Sequence, residues 1–184
     1  MGTIRREVGA QGRPTPQRPD VRRPGSGHGM NPDWLVGFVD GEGCFHVGVS
    51  RHPEMRFGAQ ILPEFTVVQH MRDVSLLHRI RSAMGCGVVR RNHGDRYCWR
   101  VRDLRHLADI IVPFFERHPL RSRKQAAFSR WARIVRRMAR GDHQTQEGFD
   151  ELSRLALRVN QADGSGDDQG LRESPCRDES RGDA

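Results

Sequence analysis

The prediction of the fold starts from residues 34–43, which read Trp34-Leu35-Val36-Gly37-Phe38-Val39-Asp40-Gly41-Glu42-Gly43. The preceding Asn31-Pro32-Asp33 is typical of a helix start, with a capping amide, a proline at the first position and an acid in the first turn. Gly37 and Gly41 are four residues apart, so they lie on one face of the predicted helix. Two glycines cost such a short helix about 2 kcal/mol relative to alanine. We therefore expect another backbone, from a second copy of the chain, to lie very close to this face.

Glu42 follows at the C-terminal end of this predicted helix, where the helix dipole is negative and a carboxylate is disfavoured. In a two-fold dimer built on the glycine face, the two copies of Glu42 stand close together and need a cation between them. Hard oxygen ligands beside a phosphate-attracting surface suit Mg²⁺ (or Mn²⁺). Such an ion activates water and stabilises a leaving oxygen in phosphodiester hydrolysis. The alternative, that Glu42 is a solvated turn residue, stays open.

After Gly43 the hydrophobic pattern changes several times between period two and the helical period. Alternation predicts strands at about 45–50, 59–69, 87–91 and 96–102. Helical spacing predicts helices at about 73–85, 103–115, 122–140 and 147–160, with caps at Asp73 and Asp103 and a kink at Pro113. The chain is therefore predicted to be an α+β protein, in which a four-stranded antiparallel sheet carries helices on one face.

The other face of this sheet has no predicted helices left to cover it. Residues 30–140 contain 20 basic and 10 acidic side chains, a net charge of +10, whereas the whole chain of 184 residues carries +8. A compact region with this charge attracts a polyanion. The face is therefore either exposed to water or a nucleic-acid-binding surface. A membrane surface is the weaker alternative, because no basic amphipathic segment stands apart from the predicted core.

Both ends of the chain differ in composition from the middle. Residues 1–29 are rich in Pro, Gly and Arg and are predicted to form a disordered basic arm, and residues 161–184 a disordered acidic tail. This leaves one domain at 30–140 and a C-terminal helix at 141–160. Neither a membrane span nor secretion is expected, because no apolar run is long enough for the first and the N-terminus lacks the apolar core of a signal peptide.

The stretch 35–43, LVGFVDGEG, resembles the signature of the LAGLIDADG homing endonucleases, with Asp40 at its sixth place and Glu42 at its eighth. The resemblance covers about residues 32–140. It continues with Phe65–Gln69, which is similar to the end of the family's second strand. Gly85–Val89 is similar to the entry into the third strand, and the segment from Pro113 to Gln125 to the family's late basic segment. The resemblance implies a homodimer of αββαββα units, with the signature helices at the interface and saddle-shaped sheets in the DNA major groove.

The resemblance also implies roles for individual residues. Glu42 corresponds to the acidic metal ligand, and Gly41 to a main-chain carbonyl ligand. Gln69 corresponds to the residue that helps to organise the hydrolytic water. Lys124 is the first choice for the basic residue near the scissile phosphate, and Arg121 and Arg123 compete for that role. The dimer interface is assigned to Leu35, Gly37, Phe38 and Gly41.

DNA contacts are assigned to polar positions on the predicted sheet. Arginine recognises guanine and asparagine recognises adenine in the major groove, while arginines in a loop more often contact phosphates. Base contacts are therefore expected from the four strands, and phosphate contacts from the loop after the first strand. The strand positions are His46, Gly48, Ser50, Thr66, Val68, Arg90, Asn92, Arg96 and Arg100, the loop positions are Arg51 and Arg56, and Arg121 and Arg123 complete the predicted DNA-binding set.

Two functions follow from these predictions. The first is a site-specific endonuclease that makes a double-strand break in DNA with a divalent metal. The alternative is a non-catalytic binder, such as a maturase that helps an intron RNA to fold or a DNA-binding regulator. The acid at position 42 favours cleavage, because a pure binder gains nothing from two facing carboxylates. In either case we expect an intracellular protein located with the host DNA, in a bacterial cytoplasm or an organelle.

Overall fold

The computed structural model describes residues 30–162 and the side chains of residues 30–160. The predicted arm 1–29 lies outside the described residues, and so does the predicted tail 161–184 except for residues 161 and 162, which continue the last helix instead. Within the described part, no helix is both long and apolar enough to cross a membrane.

The helices lie where the sequence pattern predicts them, with ends shifted by a few residues. Their bounds are α1 Pro32–Glu42, α2 Val74–Met84, α3 Leu104–His106, α4 Val112–Arg117, α5 Lys124–Ala139 and α6 Gln146–Ala162. Asn31 caps α1 as predicted, because its Oδ1 accepts hydrogen bonds from the main-chain N–H groups of Asp33 (2.8 Å) and Trp34 (3.3 Å). Gly85 ends α2 in the left-handed conformation, with φ of 69°.

Two predicted helix details need correction. Asp73 stands before α2 but its side chain makes no capping hydrogen bond. Instead a 3₁₀ turn, Met71–Asp73, precedes the helix, and His70 Nδ1 accepts from the N–H of Arg72 at 3.1 Å. Near Pro113 the predicted kink takes the form of a π-helical turn, Leu107–Ile111, between α3 and α4. A wider turn relieves the missing N–H and the steric demand of a proline close to the start of the next helical segment.

The sheet has four antiparallel strands in the order β1-β2-β4-β3, as predicted for an α+β fold. The strands are β1 Gly43–Arg51, β2 Ala59–His70, β3 Val88–Arg91 and β4 Arg96–Val101. β1 pairs along its whole length with the first three quarters of β2, whereas β4 pairs only with Phe65–His70. Pro63 therefore lies where β2 has a neighbour on one side only, which is a position that tolerates a residue without an N–H.

One face of the sheet packs on the helices and forms the core. Phe45 is the centre of an aromatic cluster, with ring centroids 5.0 Å from Phe65, 5.7 Å from Phe115, 5.3 Å from Phe128 and 5.1 Å from Trp131. These five side chains are all at most 2% exposed. They join strands β1 and β2 to helices α4 and α5, so the helices hold the sheet with its other face outward.

Helix α6 closes the same core from the C-terminal side. Leu152, Ala156 and Val159 are completely buried in it. The side chain of Asn160 bonds both main-chain groups of Val47 on the edge strand β1, accepting from its N at 3.3 Å and donating to its O at 3.0 Å. Since β1 has a strand neighbour on one side only, this amide takes the place of a further strand at that point.

Candidate functional site

The outer face of α1 is open in the single chain. A Cβ atom built on Gly37 or Gly41 meets nothing within 4 Å. Trp34 is 45% exposed and stacks on Phe38, with ring centroids 5.0 Å apart. Packing within one chain therefore does not require glycine at either position, and it leaves a large aromatic side chain in solvent beside them.

Leu35, assigned from the sequence to the dimer interface, faces the chain's own core instead and is only 2% exposed. Helical spacing explains the correction, because Leu35 shares its face with Val39 rather than with the glycines. Trp34, which was not assigned to the interface from the sequence, lies on the outer face instead of Leu35. Its position one turn before Phe38 was the signal available in the sequence.

Helix α1 runs into β1 without a loop, and Gly43 makes this possible. A Cβ at Gly43 would lie 2.5 Å from Cγ1 of Val39 and 2.8 Å from its carbonyl oxygen, so no larger residue fits without a shift of the helix end. Glu42 is consequently held at the last position of α1, where it is exposed. The acid thus stands at the junction between the glycine-bearing helix and the sheet.

Asp40 joins the end of α1 to the segment before α5. Its Oδ2 accepts from the N–H of Arg121 at 2.7 Å, and its Oδ1 accepts from the hydroxyl and the N–H of Ser122 at 2.7 and 3.4 Å. Burial raises the pKa of this carboxyl, but the hydrogen bonds from Ser122 and Arg121 together outweigh it and hold the pKa below 3.8. Asp40 is therefore a carboxylate at neutral pH, and its hydrogen bonds connect two segments of its own chain.

Lys124 lies at the same helix end. Its Nζ donates to the carbonyl oxygen of Val39 at 3.0 Å and contacts that of Gly41 at 3.5 Å. There the ammonium adds to the hydrogen bond that the Val39 carbonyl accepts from the N–H of Gly43, and it lies at the negative end of the helix dipole. The lysine predicted to approach a phosphate thus binds α1 in the single chain, whereas Arg121 and Arg123 are exposed.

Gln69 lies near Glu42 by the register of the sheet. Gly43, which follows Glu42, pairs with Val67, and Gln69 is two residues further along β2, past the start of β1. Gln69 pairs with Tyr97 of β4 and is half-buried. The two residues that the resemblance assigned to cleavage thus belong to the same corner of the molecule.

The open face of the sheet holds the positions assigned to DNA contacts. Register places Cys44, Thr66, Arg100 and Val88 in one row across all four strands. The next row starts at His46, which lies opposite Glu64. Nε of Arg102, just after β4, donates to Oε2 of Glu64 at 2.6 Å. The acid Glu64 and the guanidinium Arg102 were not assigned from the sequence, although both continue the alternation of the predicted strands.

The assigned contact residues differ widely in exposure. Thr66 and Arg100 are at most 1% exposed and Asn92 is 8% exposed, so these side chains present little area in the single chain. The others are more accessible. His46, Gly48, Val68 and Arg90 are half-buried, and Ser50, Arg51, Arg56 and Arg96 are exposed. Arg56 already bonds the carbonyl oxygen of Gln144 at 3.0 Å. The accessible charge therefore lies around the edges of the face.

Among residues 30–162 no cluster of three or more His, Cys, Asp or Glu side chains could hold a metal ion. One chain offers the Glu42 carboxylate and the neighbouring Gly41 carbonyl, which are hard oxygen donors suited to Mg²⁺. The donor type fits such an ion, but the number of donors in one chain is too small for a complete site.

A sheet with one helix-covered face and one open polar face rich in arginine is typical of proteins that contact nucleic acid through their strands. A family model described as "LAGLIDADG endonuclease" matches residues 35–135, and the chain belongs to this family. The match includes most of α1, the whole sheet and most of α5. The resemblance seen in the sequence is confirmed.

Solved structures and curated relatives agree with this assignment. The homing endonuclease I-TnaI is 46% identical in sequence, with a TM-score of 0.67 over 74% of this chain and 97% of that chain. I-SmaMI bound to its uncleaved DNA target with calcium ions is 26% identical, with a TM-score of 0.70 over 72% of this chain and 45% of that chain. A probable intron-encoded endonuclease 2 of Neurospora crassa is 30% identical over 126 residues, 67% of this chain. This chain spans 28% of the length of that relative.

Proposed function

We propose that two copies of this chain form a site-specific endonuclease that cleaves double-stranded DNA with a divalent metal ion, Mg²⁺ or Mn²⁺. The observation that carries this proposal is the position of Glu42, exposed at the end of a helix whose glycine face is open and directly beside the open face of the sheet. Family membership supports it, since relatives across the family are named as endonucleases.

The homodimer rests on the outer face of α1. Gly37 and Gly41 leave space where a second helix backbone fits, and the Trp34–Phe38 stack gives an adjacent apolar surface. A two-fold axis through this face brings the two copies of Glu42 together, because each follows directly after Gly41. The same axis sets the two sheets side by side and doubles the length of the open face.

DNA binding rests on the open sheet face. Its accessible arginines lie around the edges, which suits phosphate contacts, and His46 and Arg90 are half-buried and can be reached for base contacts, whereas Arg100 is buried in the single chain. Arg51 and Arg56 lie at the end of the hairpin between β1 and β2 and extend this cationic surface. Affinity for duplex DNA should therefore fall steeply as the salt concentration rises.

In the proposed reaction Glu42 and the Gly41 carbonyl of each copy would hold the metal ion. When bound, the ion lowers the pKa of a water molecule and stabilises the leaving oxygen. Gln69 orients the attacking water by hydrogen bonding. Arg121 and Arg123 are exposed near the end of α1 and stabilise the phosphate charge, while Lys124 secures the carbonyl end of the helix.

The test is digestion of a pooled library of long DNA duplexes, followed by sequencing of the new ends. Mg²⁺ and Mn²⁺ should each produce double-strand breaks at one sequence, and a chelator should abolish them. Glu42→Gln should bind the selected duplex without cutting it, whereas Glu54→Gln, an exposed acid in the β1–β2 loop, should cut normally. Selective binding of DNA or of an intron RNA without any cutting by the wild type would favour the non-catalytic alternative.

A further inference from the structure

We propose that Asp40 and Ser122 form a positioning pair for the cleavage step, fixing the basic segment 121–123 relative to Glu42. This inference rests on the proposed function. Neither residue is assigned to contact DNA or metal in it. Their role is to act through the residues that do.

The pair joins two segments that are distant in sequence. Asp40 accepts its hydrogen bonds from Arg121 and Ser122, which are 81 and 82 residues further along the chain. The Ser122 hydroxyl has a second bond, because its Oγ accepts from the N–H of Lys124 at 3.1 Å. One hydroxyl therefore connects the carboxylate on α1 to the first residue of α5.

The segment held in this way needs an external anchor. Arg121, Ser122 and Arg123 are all exposed, so burial does little to fix them. The Arg121 side chain is 82% exposed, and its 3.9 Å ion pair with Asp33, itself 81% exposed, does little to hold the guanidinium. Asp40 holds the main chain at residues 121 and 122 through hydrogen bonds. It therefore determines where Arg121 and Arg123 start from, relative to Glu42 two residues after it.

A shift of the basic segment should slow the reaction without weakening DNA binding. Misplacement of a catalytic group by about 1 Å can cost roughly 100-fold in rate. Most of the contact with DNA comes from the open sheet face, which lies on other elements. The two effects can therefore be separated, because a general loss of structure would reduce rate, affinity and thermal stability together.

The experiment measures single-turnover cleavage with saturating enzyme in Mg²⁺, DNA affinity in chelator, and thermal unfolding. The variants are Asp40→Asn, Ser122→Ala and the double variant, with Glu54→Gln, the exposed acid of the β1–β2 loop, as the control. We expect Asp40→Asn and Ser122→Ala to cut about 10- to 100-fold more slowly with unchanged affinity. Their melting temperature should fall only slightly, because the lost hydrogen bonds lie on an exposed segment. The double variant should be no slower than the slower single variant, because the two side chains act through one bond. Ser122→Thr, which keeps the hydroxyl, should restore cutting.

The outcomes separate this inference from the proposed function. No cutting by the wild type, or full cutting by Glu42→Gln, would remove the proposed function. If the wild type cuts and Glu42→Gln does not, wild-type rates for Asp40→Asn and Ser122→Ala would overturn the positioning pair alone. Parallel losses of rate and affinity, or multiplicative effects in the double variant, would also overturn it. If Asp40→Asn fails to fold, Ser122→Ala decides, because it removes only an exposed hydroxyl.

Discussion

Arg102 donates from Nε to Oε2 of Glu64 at 2.6 Å, and this acid lies on the same sheet face as the arginines assigned to DNA contacts. Glu64 is only 2% exposed, whereas the side chain of Arg102 is 35% exposed. A buried carboxylate without its partner is costly, so the arginine keeps the acid satisfied while the acid fixes the arginine's orientation.

We expect Glu64→Gln to lower the free energy of unfolding by about 1–3 kcal/mol, because it replaces a charge-assisted bond to a partly exposed arginine. It should also reduce the preference for the cognate site over random DNA, since Arg102 would no longer be held in one direction. Chemical denaturation and competition binding measure these effects. Glu116→Gln is the matched control. It alters the exposed pair with Arg136 and should cost less than about 1 kcal/mol. Equal, small losses of unfolding free energy in both variants would contradict the expected difference between the buried acid Glu64 and the exposed acid Glu116.

Substitution of Gly37 by leucine separates folding from assembly. A Cβ at this position meets nothing in the single chain and leucine favours a helix more than glycine does, so the free energy of unfolding of the monomer should stay the same or rise by up to about 1 kcal/mol. In the proposed dimer the same side chain meets the partner helix, so the mass measured by light scattering should fall to that of one chain. Ser82→Leu, at an exposed position on α2, is the control. A Gly37→Leu protein that stays dimeric would place the interface elsewhere.

Asn160 should be important for the stability of the edge strand. Asn160→Ala removes both side-chain bonds to Val47, and we expect it to cost about 1–3 kcal/mol of unfolding free energy. Arg158→Ala, an exposed change on the same helix, should cost little. Urea titrations of the two variants make the comparison. Similar midpoints would show that the end of α6 contributes nothing to β1.

Acid should weaken the connection between α5 and α6. Arg137 donates to Asp142 and to Glu151, both at 2.7 Å, and its hydrogen bond holds the pKa of Asp142 below 3.8. A lowered folded-state pKa contributes stability that is present above 3.8 and is lost as the pH falls through the folded value. Wild type should therefore unfold at higher urea than Asp142→Asn at pH 7, and the difference should disappear in strong acid. A difference that persists there would exclude this ionisation as its source.

The sequence predicted the architecture because its signals are local. Asn31 before Pro32, the alternation through Phe45 and Val47, and Gly85 after a helical run each act on their own neighbours, and the structure confirms them. The open sheet face followed from the same alternation. A kink was predicted at Pro113, but the proline alone does not indicate that the preceding residues, Leu107–Ile111, form a π-helical turn.

The contacts of the site were harder to predict because they join distant segments. Nothing near Asp40 in the sequence shows that its carboxylate bonds residues 121 and 122, or that Lys124 reaches the end of α1. Leu35 was misassigned for a related reason. Both faces of α1 carry apolar residues, and the sequence does not show which face packs on the chain's own core and which is left exposed. The roles of Glu42, Gln69 and the arginines remain predictions.

In the proposed dimer the two chains act together, and each contributes its own Glu42. The most direct measurement is the rate of double-strand breakage by a fully exchanged equal mixture of wild-type and Glu42→Gln subunits, compared with wild type at the same total concentration. If each break needs Glu42 from both copies, only dimers with two wild-type chains make it, and random pairing leaves about one quarter of the wild-type rate. A mixture that retains about half of that rate, as independent subunits would, contradicts the requirement for Glu42 from both chains.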